Sequence, residues 1–170
     1  QKTAYEIYQC DWSSDVCSSD LATRRPLFVK LSPTLPDIAM IAKCAVDAGA
    51  DGLSLVNTLP GLVIDLETRR PVLGFGTGGT SGAGLRAVGV LATWKVRRAV
   101  TVPIIGIGGV SSGEDALQYL MAGASLVAVG TAALANPRVP ERIVGELVRW
   151  CEAHRVTSLD EISGSLQWPH

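Results

Sequence analysis

This 170-residue sequence has no strong excess of charge of either sign, and it contains little histidine or cysteine. Fifteen Lys and Arg residues accompany sixteen Asp and Glu residues, a formal net charge of −1 that gives no indication of a nucleic-acid or anionic-membrane partner. No apolar run is long enough to span a bilayer. The two histidines, His154 and His170, are expected to face solvent. Cys44 and Cys151 lie in helical patterns without metal-ligand spacing, so we predict no metal site.

The first 21 residues show neither a helical nor a strand period, and they hold the other two cysteines. Back-translated codons for residues 1–7 and 10–21 match the two fixed arms of a common sequencing adapter, and residues 8–9 fall where its variable index lies. We therefore predict that residues 1–21 are a non-native adapter-derived segment joined to a truncated gene, and that the native domain covers residues 22–170. Without that segment 14 basic and 12 acidic residues remain, a net charge of +2, and the conclusion about partners is unchanged.

The most informative stretch is Pro103 to Thr131, together with Val102 at the start of its first strand. It contains two continuous apolar runs, residues 102–105 and 126–129, which are typical of parallel strands buried on both faces. Gly108-Gly109 follows the first run and Gly130-Thr131 the second, and such small residues let backbone N–H groups approach a ligand closely. Two neighbouring strand-end turns of this kind suit an anion, and a phosphate site recurs after the last two strands of (β/α)8 barrels. We predict a phosphate site here.

The residues before this stretch alternate between strand and helix patterns. A strand over 27–31 precedes a helix opened by Pro36, in its first turn, and Asp37. A second strand is predicted over 52–56. The apolar stripe of the helix should face the sheet, and its members are Ile38, Ile41, Ala42 and Ala45.

Residues 59–83 interrupt this alternation. Residues 62–66 and 71–73 are interpreted as a short hairpin, and the six glycines within 74–84 indicate a long loop. Helices are predicted over about 85–100 and 139–154, and Ser158 is expected to cap a final turn.

An internal repeat supports this organisation. Residues 48–58 and 122–131 each contain a helix end, an Ala-Gly-Ala turn, a buried strand and a small polar pair. Such units stack into solenoids or close into barrels. The sequence contains four βα units, which predicts an α/β fold with about four parallel strands and flanking helices, equal to half of a TIM (β/α)8 barrel.

Six ordered blocks resemble the dihydroorotate dehydrogenase family, and most nearly its NAD-linked class 1B catalytic subunits: VKLSP (29–33), ADGLSLVNT (50–58), IDLETRRPVLG (64–74), GTGGTSG (76–82), VPIIGIGGV (102–110) and AGASLVAVGT (122–131). The resemblance implies the C-terminal half of an FMN-binding TIM barrel. It implies oxidation of dihydroorotate to orotate in de novo pyrimidine (UMP) biosynthesis, in the cytoplasm. It also implies a partner subunit that carries FAD and a 2Fe–2S cluster, and a homo-oligomer.

The resemblance assigns roles residue by residue. The implied FMN contacts are Lys30, Val56, Gly82, Gly108, Gly109, Gly130 and Thr131, and the implied substrate contacts are Asn57 and Thr58. Lys30 would stabilise negative charge on the flavin ring, and the amide and hydroxyl of Asn57 and Thr58 suit the carboxylate and carbonyls of orotate. The family's catalytic base is a cysteine of the N-terminal half, so no catalytic residue is assigned here. Residues 83–87 depart from the family's usual Pro-x-(Ile/Leu)-Lys-Pro.

Two alternatives stay open at this point. The chain could be a phosphate-binding half-barrel module without redox chemistry, or part of another phosphate-binding barrel family such as the inosine-monophosphate dehydrogenase group. Lys30 and the pair Asn57-Thr58 favour the flavin enzyme, because a phosphate binder needs neither. The absence of a catalytic cysteine loop after the glycine turn argues against the second alternative.

Overall fold

The computed structural model describes residues 25–169, which form one four-stranded sheet, two small strand pairs and five α-helices. The elements in chain order are β1 (Phe28–Leu31), α1 (Ile38–Asp47), β2 (Gly52–Leu55), β3 (Leu59–Gly61), β4 (Ile64–Asp65), β5 (Arg70–Pro71), β6 (Gly78–Thr80), α2 (Arg86–Arg97), β7 (Ile104–Ile107), α3 (Gly113–Met121), β8 (Leu126–Ala128), α4 (Thr131–Ala135) and α5 (Val139–His154). Single 3-10 turns cover Ala83–Leu85 and Leu159–Glu161. The adapter prediction for residues 1–21 lies outside the described residues.

The main sheet is parallel throughout, in the order β1-β2-β7-β8. This confirms the prediction of four parallel strands with flanking helices. Among the described residues β1 and β8 are the two edges of the sheet. The last strand was expected to be buried on both faces, but this is wrong for Leu126 on the edge strand β8, which is 61% exposed.

Helix α1 forms as its apolar stripe predicts. All four stripe residues are buried against β1 and β2. Asp37 caps the helix, and its Oδ1 accepts hydrogen bonds from the amides of Ala39 at 3.1 Å and Met40 at 3.0 Å. Pro36 precedes the cap, so the prediction that it occupies the first turn is wrong.

Residues 59–80 form two antiparallel strand pairs between β2 and α2. The hairpin prediction is confirmed by β4 and β5, although only two residues of each strand pair. The prediction of a continuous glycine loop over 74–84 is wrong, because Gly78–Thr80 pairs with Leu59–Gly61. Glycine permits this close pairing: a Cβ on Gly79 would lie 2.7 Å from the Cβ of Thr58.

The core lies between the sheet and the helices. One cluster joins α1 and α2 to β1, β2 and β7, and a second surrounds Tyr119 of α3 and Ile143 of α5.

Helix α5 matches its prediction in both bounds, whereas α2 ends at Arg97. Ser158 caps the final turn with a capping box, as predicted. Within residues 25–169, every helix is too short or too polar to cross a membrane.

Candidate functional site

A cavity of about 440 Å³ opens at the carboxyl ends of the four parallel strands. This end of a parallel sheet is where α/β proteins bind ligands, and the volume lies in the usual range of small-molecule sites. The predicted residues that line it are Lys30, Val56, Thr58, Gly82, Gly108, Gly109, Gly130 and Thr131. Eight of the nine residues assigned by resemblance therefore meet in one place; the exception, Asn57, lies beside the lining.

The first turn of the cavity follows β7. Gly108 and Gly109 have φ angles of +131° and +70°, a backbone region that L side chains rarely adopt. The turn is packed against the start of α2 and the residues before it, since a Cβ on Gly109 would lie 2.7 Å from the Gly82 carbonyl oxygen and 2.8 Å from the Arg86 amide nitrogen. Glycine at position 109 thus allows the turn after β7 to touch the start of α2.

The second turn follows β8 and is linked to the glycine-rich segment. The hydroxyl of Thr131 donates to the Ser81 hydroxyl across a distance of 3.0 Å. A Cβ built on Gly130 or Gly82 meets nothing within 4 Å, so the missing side chains leave open space beside the backbone. This open backbone is a cradle that suits a phosphate. Ser81 was missed as a lining residue, although it lies within the GTGGTSG block.

The part of the cavity opposite the two glycine turns is lined by residues of β1 and of the segment that follows β2. Lys30 lies exposed on the edge strand β1, while Val56 is 2% exposed and donates its amide to the Ile107 carbonyl at 2.8 Å. Asn57 is exposed, and its side-chain oxygen accepts from the Thr58 amide at 3.0 Å. Lys30 and Thr58 can therefore face a common ligand, and Asn57 orients the backbone at Thr58.

The segment after the glycine turn is held by charged side chains. Both the amide and the hydroxyl of Ser111 donate to Asp115 Oδ2 at 2.8 Å, and the Ser111 carbonyl accepts from Arg142 Nη2 at 2.7 Å. Asp115 also forms an ion pair with Arg86. Burial opposes ionisation of Asp115, but the hydrogen bonds from Ser111, Arg86 and Ser112 outweigh it and hold its pKa below the ordinary value.

The cysteines of the described residues lie away from the cavity. The free cysteines of the described part of the chain, Cys44 and Cys151, lie on α1 and α5, and neither is a lining residue. Within residues 25–169 there is no group of three His, Cys, Asp or Glu residues that could hold a metal ion.

Comparisons with known proteins point to one family. The family model for dihydroorotate dehydrogenase matches residues 7–150. The catalytic subunit of dihydroorotate dehydrogenase B (NAD(+)) of Pelobacter propionicus is 48% identical over 146 residues, which cover 86% of this chain and 48% of that protein. The corresponding protein of Citrifermentans bemidjiense is 46% identical over 145 residues, with coverages of 85% and 48%.

A solved structure shares the fold. The crystal structure of the Eimeria tenella dihydroorotate dehydrogenase, in complex with ferulenol, superposes with a TM-score of 0.76 at 28% identity, over 94% of this chain and 49% of that one. The parallel sheet and its helices are therefore part of a TIM-type α/β barrel. The chain spans about half the length of the curated relatives it matches. The family match begins at residue 7, inside the adapter-like segment, whose origin stays a prediction.

Proposed function

This chain belongs to the dihydroorotate dehydrogenase family, and from that premise we propose that the whole protein is a class 1B catalytic subunit that oxidises dihydroorotate to orotate with FMN. The reaction would serve de novo pyrimidine biosynthesis. The observation that carries the proposal is the convergence of eight assigned residues on one cavity at the carboxyl end of the sheet. These residues come from all four βα units, so their convergence is not explained by their being neighbours in the sequence.

The phosphate of FMN would be held by the two glycine turns. Gly108 and Gly109 supply one set of backbone groups, and Gly130 and Thr131 supply the other. The open space beside Gly130 fits such a group, because nothing lies within 4 Å of a Cβ built there. When bound, FMN would supply the two-electron acceptor of the reaction.

The other lining residues would serve the flavin ring and the substrate. Lys30 places a positive charge on the cavity side of β1, and Val56 contributes backbone from the end of β2. Thr58 would hydrogen-bond the carboxylate or carbonyls of orotate, with Asn57 next to it. A module that binds only phosphate would not need this polar pair, which supports the oxidoreductase over the simpler binding module.

The proposal extends to partners. The relatives are named catalytic subunits, and we propose an electron-transfer subunit with FAD and a 2Fe–2S cluster as the partner of the whole protein. We also propose a homo-oligomer located in the cytoplasm, with no nucleic-acid or membrane partner.

The phosphate site can be tested by titrating the chain with FMN and with riboflavin, which lacks the phosphate, and following flavin fluorescence. We expect tighter binding of FMN. Gly130→Ala should weaken FMN binding, because its methyl group would project into the cavity. Gly84→Ala is the matched control: its Cβ also meets nothing within 4 Å, but Gly84 does not line the cavity. Equal affinities of the parent chain for the two flavins would refute the proposed site.

A further inference from the structure

Tyr119 is the largest fully buried side chain of the described part, and it lies directly beneath the first glycine turn. Its exposed fraction is 0%. Two glycines make room for its ring, because a Cβ on Gly106 of β7 would lie 2.9 Å from the ring Cγ, and one on Gly89 of α2 would lie 3.0 Å from Cζ. The ring is thus fixed between a strand and a helix, with its hydroxyl directed at the turn.

The hydroxyl makes one specific contact there. It donates a hydrogen bond to the carbonyl oxygen of Gly108 at 2.7 Å. In a planar trans peptide the C=O of one residue and the N–H of the next point in opposite directions. Fixing the Gly108 carbonyl toward the core therefore directs the Gly109 N–H away from the core, on the side where Gly109 lines the cavity.

A pair of glycines cannot hold this orientation by itself. Both residues occupy positive φ, and glycine moves between backbone regions at little steric cost, so the peptide between them could rotate. An anion site needs its donors in place before the ligand arrives. We propose that Tyr119 is a positioning residue that orients the Gly108–Gly109 peptide for binding the phosphate of FMN; this inference rests on the proposed function.

The protonation of Tyr119 agrees with this role. Burial raises the pKa of its hydroxyl well above the ordinary value, against the opposing charge of Arg86. The hydroxyl therefore stays protonated, and remains a hydrogen-bond donor, at neutral pH.

The test compares Tyr119→Phe with the parent chain in FMN and riboflavin titrations. Phenylalanine fills the same space and removes only the hydroxyl. We expect FMN affinity to fall roughly three- to tenfold, the usual worth of one hydrogen bond, while riboflavin affinity stays the same. A purely structural role would weaken the binding of both flavins together.

Thr93→Val provides the matched control. Thr93 is also 0% exposed, and its hydroxyl donates to the backbone carbonyl of Gly89 at 2.9 Å. This variant also loses one buried hydroxyl-to-carbonyl bond, but one in which the turn takes no part, and it should leave the ratio of FMN to riboflavin affinity unchanged. The inference is overturned if Tyr119→Phe keeps the parent's ratio or if Thr93→Val lowers it equally. If the parent shows no preference for FMN, the phosphate site itself is wrong, and the role of Tyr119 is refuted with it.

Discussion

A methyl group at position 109 should destabilise the fold, because Gly109 touches the backbone at the start of α2. Its Cβ would lie 2.7 Å from the Gly82 carbonyl oxygen and 2.8 Å from the Arg86 amide nitrogen. Both are main-chain atoms, which cannot rotate away as a flexible side chain would. The φ angle of +70° adds a second penalty for any residue with a Cβ.

The close contact and the left-handed backbone together give the expected loss in the free energy of unfolding. A left-handed backbone costs about 1–2 kcal/mol for a residue other than glycine. An added methyl group in a packed region costs about 1–3 kcal/mol. Together they predict that Gly109→Ala lowers the free energy of unfolding by about 2–5 kcal/mol, a large share of the roughly 5–15 kcal/mol of an ordinary domain.

Urea unfolding followed by tryptophan fluorescence measures this difference. The control is Gly84→Ala, since a Cβ there meets nothing within 4 Å and Gly84 does not have positive φ. Its free energy of unfolding should stay within about 1 kcal/mol of the parent. A loss below about 0.5 kcal/mol for Gly109→Ala would refute the close packing of the turn on α2.

Three other outcomes follow from the edges, charges and thiols of the structure. Leu126→Lys should reduce self-association in light scattering, because Leu126 is 61% exposed on the edge strand β8 and an edge lysine opposes strand pairing. Val148→Lys, on α5 and 50% exposed, is the control, and an equal effect would argue against edge pairing. Asp115→Asn should make the stability of the chain depend less on pH in acid. The lowered pKa of Asp115 gives the parent chain stability that is present above the ordinary pKa of 3.8 and is lost as pH falls through the lowered pKa. The measurement is the unfolding midpoint of each protein from about pH 5 to pH 2. Midpoints of parent and variant that fall in parallel would contradict the prediction. The 170-residue chain should not oxidise dihydroorotate, because the cysteines of its described part lie away from the cavity and proton abstraction needs a base. Turnover in an anaerobic dye-reduction assay, run beside an intact relative, would show that another group serves as the base.

The sequence was sufficient for the features that depend on local pattern. The buried stripe of α1 follows from helical spacing, and the parallel strands follow from short apolar runs. The turn at Gly108-Gly109 could be predicted because paired glycines after a strand permit positive φ. The grouping of the cavity residues could also be predicted from the sequence, since the carboxyl ends of parallel strands meet at one edge of a sheet.

Contacts between distant residues could not be predicted in this way. Ser81 and Thr131 are 50 residues apart, and nothing in either segment specifies their hydrogen bond. The pairing of β3 with β6 was missed because two of the three residues of β6 are glycine, which weakens any strand pattern. Tyr119 appears in the sequence as one more apolar residue of a helix, and only the fold shows where its hydroxyl points.

The two ends of the cavity differ in how the fold supports them. At the first glycine turn, the Gly108 carbonyl is held by Tyr119, and the Ser111 backbone is held by Asp115 and Arg142. The turn also packs on Gly82 and Arg86, and Tyr119 packs on Gly89, so the contacts that hold this end come from residues 82–142 of this chain. Lys30 instead lies exposed on an edge strand, where a charge interacts weakly because water screens it. Preorganised donors lower the cost of ordering a ligand more than mobile charges do. The affinity of this chain for a flavin should therefore depend mainly on the phosphate, with the ring contributing only where a complete barrel closes over it.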